Sequence, residues 1–136
     1  MRSKPELPAT FERRFKLWLY SVSLRRLCFR SLILDVPDAT CSVEVMFQNV
    51  MAMQVRSSYR RLHLRGASEP EVAEIIDHLD ETPHPDAQYV ILGDHLHDGW
   101  VACSLLLTAE NDFDARRTPE LLAISGGIGV GLRGVQ

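Results

Sequence analysis

Residues 41–48 read CSVEVMFQ, and on this stretch the fold turns. Cys41, Val43, Val45 and Phe47 alternate with Ser42, Glu44 and Gln48, the repeat of two that a β-strand imposes on its side chains. The pattern predicts a strand with its apolar set facing a core and Ser42, Glu44 and Gln48 facing water. One-sided burial of this kind is typical of antiparallel sheets.

The neighbouring runs extend the same reading. RFKLWLYSV, residues 14–22, is a second strand, with Phe15, Leu17 and Leu19 on one side and Lys16, Trp18, Tyr20 and Val22 on the other. Residues 26–34 set Leu27, Phe29 and Ile33 against Arg26 and Arg30, and Asp35-Val-Pro-Asp supplies a turn. Met51, Met53 and Val55 mark another strand; Leu62 and Leu64, against Tyr59, Arg61, His63 and Arg65, mark the next. Residues 89–92 and 100–109 are two more. Residues 1–12, with two prolines and no periodicity, read as an irregular lead-in.

The helix signal lies at residues 68–81. Ser68 and Glu71 form a capping box, Pro70 occupies the first turn, and Val72, Ile75, Ile76 and Leu79 recur on one face until Thr82-Pro-His-Pro ends the pattern. A short second helix fits residues 118–122, and the tail from residue 125 holds five of the eight glycines, as a flexible end or an edge strand. Strands arriving consecutively, without helices between them, disfavour a parallel sheet. The expectation is one α+β domain over residues 13–124: a curved, mainly antiparallel sheet of about six or seven strands around a single amphipathic helix, followed by the Gly-rich tail at 125–136.

Composition excludes several classes. Hydrophobic residues make up 46% and charged residues 24%, an ordinary globular balance. No apolar run approaches the roughly 20 residues of a membrane helix. LWLYSVSL is too short and wrongly flanked for a secretory leader. Cys28, Cys41 and Cys103 are odd in number and widely spaced, which reads as reduced thiols in the cytoplasm. The formal charge of −3 hides a split: residues 1–66 hold 12 Lys/Arg against 5 Asp/Glu, residues 67–136 hold 3 against 13. Such a split can give basic and acidic surfaces that steer charged partners.

Most chemical motifs fail on their context. Gly129-Val-Gly131-Leu-Arg-Gly134 has the letters of a dinucleotide loop, but only two residues follow where a helix must start. There is no G-x-S-x-G elbow. The acidic run at 110–114 lacks the Gly and Glu of a calcium loop. GDHLHDG, residues 93–99, locally resembles the G-D-x-x-D-x-G element of metallophosphoesterases, which would imply metal-holding carboxylates. Its spacing is one residue longer, and the D-x-H and G-N-H-[DE] partners of that family are missing. His97-Asp98 is similar to the dyad of HD-type phosphohydrolases, which are helical where this chain reads as strand.

GDHLHDG therefore reads first as a hairpin connection closed by Asp98-Gly99. Its alternative is a divalent-metal site: His95 and His97 point the same way on an extended chain, with Asp94, Asp98 or His84 to complete the set. No other cofactor is implied. A second candidate surface is basic, with Arg26 and Arg30 on one strand and Tyr59, Arg61, His63 and Arg65 on another, as a partner-protein or single-stranded nucleic-acid face. The expected function is a small non-catalytic protein-interaction module, binding a protein partner or its own copy; toxin-neutralising proteins share this size and acidity by class analogy only. A metal-assisted hydrolase and a nucleic-acid binder are the alternatives.

Overall fold

The computed structural model describes residues 2–32, 41–80 and 82–111. Ile33, the turn at 35–38, the acidic segment from 112, the second helix and the glycine-rich tail lie outside the described residues. Eleven strands are described: β1 (Arg2–Ser3), β2 (Ala9–Phe11), β3 (Phe15–Ser21), β4 (Arg26–Ser31), β5 (Ser42–Gln48), β6 (Ala52–Gln54), β7 (Ser58–Tyr59), β8 (Leu62–Gly66), β9 (Gln88–Ile91), β10 (Trp100–Cys103) and β11 (Leu105–Asn111). One helix, α1, spans Glu69–Asp77.

The pairing of the described strands is antiparallel, in line with the mainly antiparallel pairing expected, but these strands form two sheets where one was expected. Six strands run in the order β1-β11-β5-β4-β3-β7 and five in the order β2-β8-β9-β10-β6. Alternate residues from both contribute to one core: Phe29 and Phe47 from the larger sheet, Leu62, Leu64, Val90 and Val101 from the smaller. The irregular lead-in expected at the N-terminus instead supplies β1, which pairs with β11, and β2, which pairs with β8.

The expected position of the helix is corrected. Its capping box forms as the sequence implied, with the Ser68 backbone N–H donating to Glu71 Oε1 at 2.9 Å. However, α1 ends at Asp77, short of Leu79, and it lies outside the core rather than inside a curved sheet. Ile75 alone is buried, packing with Ile91, Trp100 and Ala102 on the outer face of the smaller sheet. Ile76 remains 37% exposed. The two sheets bury each other's inner faces, so the helix is left with one turn's worth of contact.

Two strands depart from simple alternation. In β3 the register against β4 shifts between Leu17 and Leu19, so one extra residue, Trp18, bulges out. Phe15 and Tyr20 consequently both reach the inner core, while Leu19 packs on the opposite face with Cys28 and Met46. The run 100–109 is two strands: it breaks at Ser104, whose backbone N–H donates to the Gln48 carbonyl at 3.0 Å, and crosses from the smaller sheet to the larger.

The stretch CSVEVMFQ forms β5 with Val43, Val45 and Phe47 inward as expected. Its other face departs from expectation, because Ser42, Glu44 and Met46 are buried as well. There Glu44 stands opposite Arg30 of β4, with Arg30 Nε 3.4 Å from Glu44 Oε2 and the guanidinium 5.3 Å from the Trp18 ring centre. A charge taken out of water requires a partner of opposite sign.

Candidate functional site

GDHLHDG joins β9 to β10, so the hairpin expectation holds, though with an eight-residue connection, 92–99, containing a 3₁₀ turn at Leu96–Asp98. Asp98 organises it. One carboxylate oxygen accepts from the backbone N–H groups of Asp94 at 3.1 Å and His95 at 3.0 Å, and the other lies 3.2 Å from Arg56. The His95 amide, and the charges of His97 and Arg56, hold its carboxyl below the ordinary value.

The closure needs two glycines. Gly99 has φ +138°, and a Cβ there would collide with the Tyr59 hydroxyl; Gly93 has φ +156°, and a Cβ would sit 2.6 Å from Asp98. The Tyr59 hydroxyl donates to the Asp98 carbonyl at 2.9 Å and accepts from the Arg56 N–H at 3.1 Å. Turn 55–57 and loop 92–99 are thereby stitched together.

The two histidines do point the same way: their rings stack with centres 5.3 Å apart and 6° between planes. Both are exposed, and Asp98 is committed to backbone amides and Arg56. Among the described residues no group of three or more His, Cys, Asp and Glu side chains is arranged to hold a metal ion.

The proposed basic face separates into four environments. Arg30 is 1% exposed and bound to Glu44, so it presents no charge to a ligand. Tyr59 is buried with its ring edge-on to Phe29 at 5.7 Å, which removes it as a stacking platform. It belongs to β7 in the larger sheet, not to the strand of His63 and Arg65. Arg65 is bidentate to Glu71 at 2.8 Å on both arms and also donates to the carbonyls of Gly93 and Asp94, so it pins the loop to α1. That pairing lowers the Glu71 carboxyl to about 2. Arg26 lies half-buried on β4 of the larger sheet, whereas His63 is on β8 of the smaller.

What the fold does assemble is a cleft of about 560 Å³ between loop 92–99 and the segment 56–63. Arg14, Arg56, Arg60 and Arg61 line it, with Asp94 and Asp98 on the loop side and His63 beside them. Parts of two groups that the sequence reading kept apart thus share one concavity: Asp94 and Asp98 from GDHLHDG, and Tyr59, Arg61 and His63 from the basic set. Arg14, Arg56 and Arg60 were not among the sequence candidates. Their signal was RSSYRR, three arginines within residues 56–61, which reads as a break when only strand alternation is scored.

Nucleophilic chemistry finds little support. Burial raises the Cys103 thiol to about 12 and pushes Cys28 higher still, so neither is a thiolate at neutral pH. Thr10 Oγ1 lies 2.6 Å from His63 Nδ1, but the two are cross-strand neighbours in the β2–β8 register, and no carboxylate among the described residues pairs with His63. Among the described residues no helix is long and apolar enough to cross a membrane. Comparison with known proteins returns no match: no family, no curated protein and no solved structure corresponds to this chain.

Proposed function

We propose that the protein is a non-catalytic interaction module whose arginine-lined cleft binds an acidic segment of a partner protein. The observation carrying this reading is the convergence of Arg14, Arg56, Arg60 and Arg61 on one open concavity of about 560 Å³. Guanidinium groups at a concave surface recognise carboxylate-type anions through paired N–H donors and accelerate encounter with negatively charged partners.

The charge split of the chain acquires a place in this reading, since the arginines come from the basic half and Asp94 and Asp98 from the acidic half. The mixed lining favours a defined acidic segment over a uniform polyanion. Binding of a fluorescent Glu/Asp-rich peptide tests it: Arg60→Gln weakens affinity about tenfold, or 1.4 kcal/mol, while Arg25→Gln, an equal charge change outside the cleft, leaves it unaltered. Equal losses from both variants would reduce the effect to net charge and defeat the proposal.

A further inference from the structure

Strands β3 and β7 pair through Phe15↔Tyr59 and Lys16↔Ser58. Arg14 and Arg60 flank the Phe15↔Tyr59 pair just outside the two strands, both exposed and both on the wall of the cleft. Like charges in opposed positions repel each other. Arg56 and Arg61 have Asp98 and Glu12 as partners at 3.2 and 3.5 Å, whereas neither Arg14 nor Arg60 has a carboxylate within ion-pair distance among the described residues. Both thus line the cleft without an ion-pair partner among the described residues.

We infer that the anchoring group of the partner is a phosphomonoester side chain, a phosphoserine or phosphotyrosine, held between Arg14 and Arg60. This deepens the cleft reading and rests on it. The charge of a phosphomonoester is about −1.5 to −2 at neutral pH, with three acceptor oxygens, which matches two guanidiniums; a carboxylate brings about one charge and leaves one of them uncompensated. The geometry fits one isolated anion better than a nucleic-acid backbone. Asp94 and Asp98 bound the cleft on the loop side, Arg30 is buried, Arg65 is held by Glu71, and the Tyr59 ring lies in the core. No continuous cationic track with an aromatic platform extends from the cleft among these groups.

Degenerate peptide mixtures with a fixed central phosphoserine, phosphotyrosine, serine or glutamate, and a single-stranded oligonucleotide, test the inference by titration followed through the arginine side-chain NMR signals. A phosphorylated mixture is expected to bind about tenfold more tightly than the glutamate mixture at pH 7. The advantage shrinks at pH 5, below the second phosphate pKa of about 6. Arg14→Gln and Arg60→Gln each abolish most of it without unfolding the protein, since both side chains are exposed. Equal binding of glutamate and phosphorylated mixtures would overturn the phosphoryl assignment and leave the acidic-segment reading standing. Preference for the oligonucleotide, or no binding by any probe, would overturn both.

Discussion

Arg30 and Arg65 occupy equivalent places in the sequence pattern and opposite places in the molecule. Each sits on a strand at an alternate position to apolar residues, and each is paired with a glutamate. Arg30 meets Glu44 across the pairing of β4 with β5, two strands buried on both faces, with side-chain exposures of 1% and 0%. Arg65 meets Glu71 at the surface, at 23% and 19%. Alternation reports which side chains share a face; whether that face meets water depends on what covers it, which strand periodicity does not encode. The first arginine is part of the interior. The second is a clamp that sets the position of a loop beside the cleft.

The largest effect that would test this contrast is at the buried pair. Glu44→Ala strands the Arg30 guanidinium without its cross-strand counter-charge and is expected to cost about 3–5 kcal/mol in urea unfolding. A loss below 1 kcal/mol would mean that the pair is hydrated and that the two regions are not different in kind. Next comes the loop closure: Gly99→Ala, which meets the Tyr59 hydroxyl at a φ of +138°, should cost about 1–3 kcal/mol.

Glu71→Gln removes the capping-box carboxylate and the Arg65 pair, with an expected loss of about 1 kcal/mol near neutral pH. The sign of its pH dependence follows from the lowered carboxyl. Glu71 falls from an ordinary 4.5 to about 2 in the folded state, so its stabilisation is complete above about 4.5 and fades as pH drops through about 2. Melting of wild type and Glu71→Gln measured from pH 6 to pH 2 should therefore converge at the acid end. The smallest effect is expected at the stacked histidines: replacing His95 and His97 together with Ala should change stability by less than about 0.5 kcal/mol, and a Zn²⁺-dependent rise in melting temperature lost in that variant would revive a metal site there.

Much of the architecture was legible. The strand runs, the antiparallel pairing, the capping box and the 93–99 connection follow from local periodicity and turn chemistry, which act over a few residues. The partition into two sheets was not legible, because one apolar run, residues 100–109, changes sheet at Ser104 with no break in its composition to mark it. The helix was found but overvalued, since amphipathicity fixes which face turns inward, not how much it buries.

The candidate site was half legible for a related reason. GDHLHDG and the set Tyr59, Arg61, His63 and Arg65 were both visible as polar chemistry, whereas Arg14, Arg56 and Arg60 were not. Their meeting depends on Tyr59 inserting into the core while its hydroxyl reaches Asp98, a contact spanning 39 positions. Arg14 joins them only through the pairing of β3 with β7. No local pattern carries either relation.

Arginine reactivity, read residue by residue by mass spectrometry after brief treatment of the native protein with a dicarbonyl reagent, tests the central claim most directly. The account predicts that Arg14 and Arg60 react first and are protected by an acidic or phosphorylated peptide, while Arg30 stays unmodified until the protein unfolds. Reaction of Arg30 at the rate of Arg60, or protection by the peptide of Arg25 and Arg26 in place of Arg14 and Arg60, would contradict it.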